Sequence, residues 1–212
     1  MPLATEVLGF APVLSDYRRT WDLQKRYHEE VLAGSRPSTI LLLEHSPVYT
    51  AGKRTEDHER PTDGTEVVDV DRGGKITWHG PGQLVAYFIY KLNDPKEVRL
   101  FVSQLEDAMI ALLAEYGIAA TTVEGRAGVW LLGDELRRDR KIGAIGIRIH
   151  EGVTMHGLAL NCSNDLGAYD AIVPCGIPDA DTTTISAELG RPVTPEDVAA
   201  RLDEILHETI TA

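Results

Sequence analysis

Apolar residues recur along the chain either with a helical period of 3.6 or in short continuous and alternating runs, and the switch between the two lays out the elements. The stripe Tyr17, Trp21, Gln24, His28 and Val31 predicts a helix capped by Ser15, running to about Ala33 and stopped by Gly34. STILLLEHSPVYTAG reads as a buried strand ending in a loop, because Leu41 to Leu43 are apolar without alternation and Pro47 and Gly52 follow. Lys53 to Glu66 is polar and loop-like. Val67 to Val70 is a short strand, DRGG turns the chain into KITWH, and QLVAYFIYKL is a further strand; these are expected to pair as neighbours. Asp94 and Pro95 open a helix whose Phe101, Leu105, Ala108, Met109, Leu112 and Tyr116 share one stripe closed by Gly117.

From Thr121 to Val173 the pattern returns to strands, in TTVEG, GVWLL, KIGAIGIRI, VTMHGLALN and GAYDAIV, with GDELRRDR as a polar turn between two of them. Thr194, Pro195, Glu196 and Asp197 open a last helix carrying Val198, Leu202, Ile205 and Leu206 on one side. Runs of strands interrupted by a few long helices predict an α+β fold, a mixed or mainly antiparallel sheet with helices packed on it. No repeat, low-complexity tract or composition break divides the 212 residues, so a single domain over 1–212 is expected.

Composition narrows the function. With 21 Lys and Arg against 33 Asp and Glu the chain carries a formal charge of −12, which excludes a histone-like or ribosomal protein and argues against nucleic acid as a partner. Hydrophobic residues at 43% and charged residues at 25% exclude disordered and coiled-coil classes. No apolar run approaches the roughly 18 residues of a membrane span, and MPLATEVLGF lacks the basic start of a secretory signal, so a cytoplasmic location is expected. Two cysteines, Cys162 and Cys175, are too few for a disulfide framework or a cysteine zinc site, and no metal is expected.

Two strings carry candidate chemistry. In RGGKITWHGPGQL, two glycine turns bracket a strand on which Lys75, Thr77 and His79, spaced by two, project from one face; a cation, a hydroxyl and an imidazole make a better pocket wall than a core face. It matches neither nucleotide-loop pattern, G-x-x-x-x-G-K-[ST] or G-x-G-x-x-G. In VPCGIPD, Cys175 lies between Pro174 and Gly176, a loop setting that suits an accessible thiol, whereas Cys162 follows a strand pattern and reads as buried. A thiol with a pKa of about 8.5 needs a partner to become a thiolate nucleophile, and one ammonium suffices. Lys141, at the start of KIGAIGIRI, is the leading candidate; His79, His150 and His156 are rivals, and spacing alone places none of them beside Cys175. Gly157 in HGLALN weakens a strand unless a ligand or another backbone comes close.

Taken together, EHSPVYTAG, RGGKITWHGPGQL, KIGAIGIR, HGLALN and DLGAYDAIVPCG closely resemble the lipoyl(octanoyl) transferases of lipoate biosynthesis, from about residue 10 to 210. The resemblance implies the fold of biotin and lipoate protein ligases, a mixed central sheet flanked by helices. It implies Cys175 as the acyl-thioester nucleophile and Lys141 as the group that lowers its pKa. It implies a substrate pocket carried by Arg72, Gly73, Gly74, Lys75, Ile76, Thr77, Trp78 and His79, by Ala144, Ile145 and Gly146, and by Gly157, Leu158 and Ala159. Tyr169 stands where the family more often has Phe. The implied reaction moves an octanoyl group from octanoyl-acyl carrier protein, through a cysteine thioester, to the target lysine of lipoyl domains of 2-oxoacid dehydrogenase E2 subunits and of glycine cleavage H protein. No cofactor is implied; an ATP-dependent lipoate-protein ligase of the same fold is the alternative. Because an acyl carrier protein is acidic, docking on two basic clusters is expected, Arg137, Arg138, Arg140, Lys141 and Arg148 in one and Lys53, Arg54, Arg72 and Lys75 in the other.

Overall fold

A computed structural model describes residues 3–172 and 180–211. Its main sheet has eight strands among the described residues, in the order β1 (Leu3–Gly9), β2 (Ser38–Leu43), β6 (Gln83–Ile89), β10 (Val153–Asn161), β9 (Arg140–His150), β8 (Arg126–Leu131) and β7 (Thr121–Val123), with β11 (Asp181–Thr182) pairing β9 off this path. β1 runs parallel to β2 and β11 parallel to β9, and the other neighbours are antiparallel. This is the expected mixed α+β sheet.

The lack of alternation in STILLL and QLVAYFI has a direct cause, since both strands are covered on both faces. Ile40, Leu42, Leu84, Ala86 and Phe88 pack with Phe101, Leu105 and Met109 of α2 (Val98–Glu115) and with Val198 and Leu202 of α4 (Pro195–Thr211). The alternate set, Leu41, Leu43, Val85, Tyr87 and Ile89, packs with Tyr17, Tyr27 and Val31 of α1 (Tyr17–Leu32). Asp16, rather than Ser15, caps α1 by accepting from the Arg19 amide at 2.9 Å, and the backbone of Ser15 instead bridges to His45. Asp94 caps a 3-10 turn, Pro95–Glu97, that leads into α2. A short helix, α3 (Ile185–Leu189), capped by Thr184 and closed by the left-handed Gly190, and the edge strand β1 were not anticipated from the pattern.

Two expectations are corrected. The strands around the double-glycine turn do not pair with one another: β4 (Val67–Asp69) and β5 (Thr77–His79) both flank β3 (Val48–Ala51) in a separate three-stranded sheet, while β6 belongs to the main sheet. The chain crosses between sheets at Gly82, whose carbonyl accepts from the amides of Cys162 and Ser163 and whose φ of +85° leaves no room for a side chain against Asn164. GAYDAIV is not a strand where it is described. Gly167–Ala171 is a 3-10 turn, started by Asp165 accepting from the Gly167 amide; Tyr169 and Ile172, three apart, thereby reach one side and pack on Ile76 and Trp78.

Candidate active site

Between the main sheet and the small one lies a cavity of about 240 Å³. Its floor is two cross-strand pairs of small residues, Ala144 opposite Ala159 and Gly146 opposite Gly157, at which β9 and β10 present little beyond their backbones. Its roof is the segment from Arg72 to His79. Lys75, Thr77 and His79 line the cavity from one side of that segment, as does Gly74, and Ile145 and Leu158 border it from the sheet. Ile76 and Trp78, out of phase, point away and pack with Tyr169, and Gly73 stands outside the lining, its amide donating to the carbonyl of Ile147 at 3.0 Å. Tyr17, Arg54, Tyr87 and Arg126 also line the cavity; Arg54 was expected only in a basic cluster and nothing in the sequence marked the other three as lining, because topology alone brings them there.

Arg72, 7% exposed, shapes the roof. Nη1 donates to the carbonyls of Gly73 (3.0 Å) and Lys75 (2.9 Å), and Nη2 to the carbonyl and hydroxyl of Thr50, both at 2.8 Å. One guanidinium thus folds the glycine loop over the cavity, with donors in the planar fork that lysine lacks. Lys75 is held by Glu59 (2.5 Å) and Glu56 (3.0 Å), whose hydrogen bonds raise its pKa.

The three histidines of the site are neutral, and their tautomers follow from their partners. The amide nitrogen of Gln83 donates to Asn161 and to the Tyr169 hydroxyl, both at 2.9 Å, so its oxygen accepts from His79 Nδ1 at 2.7 Å; burial lowers the His79 pKa to about 3. His45 Nδ1 donates to the carbonyl of Ser15 at 2.9 Å, which leaves Nε2 to accept from the Tyr87 hydroxyl at 2.7 Å; burial takes its pKa to about 4. Tyr17 packs against both rings, whose own centres are 5.8 Å apart, and burial pushes its hydroxyl up to about 12. His156 Nε2 donates to Asp71 at 2.8 Å, and Asp71 also pairs with Arg148. Burial lowers the His156 pKa against the opposing pull of Asp71. Its Nδ1 is buried with no partner among the described residues, and its backbone is left-handed, φ +60°.

Lys141 is 8% exposed, with Nζ 5.0 Å from the centre of the Trp130 ring and no carboxylate in ion-pair range among the described residues. Gly128 leaves it room: a Cβ there would stand 2.8 Å from Lys141 Cε. Thr77, Asn161, Tyr169 and Thr182 share a small recess with it. Cys175 lies outside the described residues. Cys162 is fully buried, its thiol pushed up to about 12 by burial, which makes it a core residue and no nucleophile.

The expected basic clusters divide. Arg140 is paired with Glu188 and Arg148 with Asp71, whereas Arg137 and Arg138 are exposed on the turn before β9, and Lys53 and Arg54 are exposed beside the cavity. Among the described residues no group of three or more His, Cys, Asp or Glu converges as a metal site, and no helix is long and apolar enough to cross a membrane.

A slot floored by backbone, roofed by a glycine loop and reached by one buried ammonium suits a slender apolar group joined to a reactive carbonyl. The chain belongs to the family of the lipoyl protein ligase A/B catalytic domain, whose model matches residues 16–207. A protein of Leifsonia xyli subsp. xyli named octanoyltransferase is 64% identical over 184 residues, covering 87% of this chain and 82% of its own. Another octanoyltransferase, of Arthrobacter sp. (strain FB24), is 58% identical over 204 residues, 96% of this chain and 92% of the relative. Among solved structures, a chain from an archaeal lipoylation system, a bi-partite lipoate protein ligase and its E2 lipoyl domain from Thermoplasma acidophilum, superposes with a TM-score of 0.70 at 13% identity, covering 99% of this chain and 83% of that one. The fold is therefore that of the lipoate protein ligases.

Proposed function

We propose that residues 1–212 form one catalytic domain in which Cys175 and Lys141 transfer an octanoyl group from octanoyl-acyl carrier protein to the target lysine of lipoyl domains, an early step of protein lipoylation. The observation that carries this reading is Lys141. A buried ammonium without a carboxylate is costly unless an anion joins it, and a cysteine thiolate is such an anion. Thr182, the β-partner of Lys141, lies seven residues after Cys175, and Tyr169, six before it, shares the Lys141 recess. The chain on either side of Cys175 is thus held next to the lysine. With Cys162 buried, Cys175 is the remaining thiol.

In the first half-reaction the Cys175 thiolate attacks the donor thioester; the new C–S bond forms as the old one breaks, and the departing carrier thiolate takes a proton from Lys141. In the second, neutral Lys141 accepts a proton from the attacking ε-amine, the amide C–N bond forms and the Cys175 thiolate leaves beside a restored ammonium. The activated donor supplies the driving force, so the reaction runs without ATP. The acceptors are lipoyl domains of 2-oxoacid dehydrogenase E2 subunits and glycine cleavage H protein, and the carrier-protein donor implies a cytoplasmic location. Arg137 and Arg138, with Lys53 and Arg54, offer the acidic carrier a basic landing surface on a chain of net charge −12.

Intact-protein mass spectrometry after mixing with octanoyl-acyl carrier protein tests the reading. An octanoyl increment mapping to Cys175 and discharged by apo lipoyl domain is expected; acceptor modification only with ATP and free acid would instead make the chain a ligase.

A further inference from the structure

Among the described residues, His156 is the strained, incompletely bonded group that lines the cavity and has no part in the proposed chemistry. It pairs with Ile147 across β9 and β10, six residues from Lys141, which is about 20 Å along the strand. That separation removes it from proton transfer at the thioester. It stands where the slot closes: the Gly73 amide is bonded to the Ile147 carbonyl, and a Cβ on Gly146 would meet Arg72 Cδ at 3.1 Å and the Gly73 carbonyl at 3.2 Å. A left-handed histidine persists only if its surroundings hold it. Here the Gln24 side chain accepts from its amide at 2.8 Å, Asp71 accepts from its ring, and the Tyr87 ring stands edge-on at 6.3 Å.

We propose that this closed end, with His156 as its wall and Gly146 under Arg72 as its floor, is a gauge that sets the acyl chain length, an inference that rests on the acyl-transfer reading above. The seven C–C bonds of an extended octanoyl chain span about 9 Å, and a chain tethered near Lys141 runs along β9 toward the pair His156 and Ile147. A longer chain would press its terminal methylenes against the His156 imidazole, which lines the cavity and is held by Gln24 and Asp71, so added length is penalised instead of rewarded.

The test is the rate of acyl-enzyme formation from hexanoyl-, octanoyl-, decanoyl- and dodecanoyl-acyl carrier protein, read by intact mass. His156→Gly removes the wall and also relieves the left-handed backbone, and His156→Asn, which tolerates that backbone, is the second variant. Each methylene newly accommodated contributes about fourfold, so the decanoyl-to-octanoyl ratio, which reports two methylenes, should rise about fifteenfold in His156→Gly. Gly146→Ala, which thickens the floor, should move the profile the other way, toward hexanoyl. Variants that acylate with octanoyl and keep the wild-type length profile would overturn the gauge alone. A wild-type protein that acquires no acyl group from any donor would overturn the transfer reading and the gauge with it.

Discussion

An ammonium beside a thiol favours the thiolate, and the proposed pairing of Cys175 with Lys141 is testable at one residue. Replacing Lys141 with methionine keeps an unbranched side chain, shorter by one atom, against Trp130 and removes the charge. The rate of Cys175 alkylation by iodoacetamide, followed against pH, should have its midpoint below the ordinary thiol value of about 8.5 in the wild type and at or above it in Lys141→Met; equal midpoints would end the pairing. Cys162→Ala should leave acyl-adduct formation intact, because that thiol is buried in the core of α2 and α4. Tyr169 shows what a single hydroxyl adds. It accepts from Gln83 at 2.9 Å and stands 3.3 Å from the Asn161 amide oxygen, so Tyr169→Phe should cost about 1 kcal/mol in urea unfolding, with Gln83 retaining His79 and Asn161 as partners.

At the scale of elements, the long helices were legible because each advertises a 3.6-residue stripe and punctuated ends, and the burial of Phe101, Leu105, Met109 and Leu112 follows the stripe read for α2. The pairing of β3, β4 and β5 was not legible, because which strands meet is decided by contacts distant in sequence. β1 escaped notice since Thr5 and Glu6 interrupt its apolar run, and GAYDAIV misled because β-favouring side chains also suit a turn that packs two of them on a tryptophan. In the candidate site, the period of two placed Lys75, Thr77 and His79 correctly on one wall, and by the same rule Ile76 and Trp78 on the other side. The left-handed backbone of His156 left no mark in a string reading HGLALN. Gly128 links element to chemistry: its φ is +103°, and a Cβ would lie 2.3 Å from the Gly143 carbonyl and 2.8 Å from Lys141 Cε. Gly128→Ala should therefore lower both the melting temperature and the acylation rate, whereas a full-rate variant would show that the lysine does not depend on that gap.

Across the whole molecule, the buried neutral histidines tie stability to acidity. The folded pKa of His79 is lowered to about 3 and of His45 to about 4, both below the unfolded value of about 6.5. Their contribution is complete above about pH 6.5 and is lost as the pH falls from there toward the folded values, because the unfolded chain binds the protons first; each lowers stability by about 1.4 kcal/mol per pH unit over that window. Urea unfolding at pH 7 and pH 5 should differ by several kcal/mol, and a flat profile would mean that the folded protein accommodates both imidazolium ions. The charge layout acts at the same scale. Reversing Arg137 and Arg138 together should slow transfer from an acidic carrier and weaken its salt dependence, and unchanged values would place docking elsewhere.

The floor of the cavity sets a direction for anyone reshaping it. Ala144, Ala159, Gly146 and Gly157 have almost nothing to remove, so the sheet side can hardly be made deeper, and at Gly157, where a Cβ would run into the Ala86 carbonyl, it takes no addition either. Libraries aimed at bulkier or branched acyl groups would find their gains in the roof and the end wall, where arginine, tyrosine and histidine side chains still have atoms to give up.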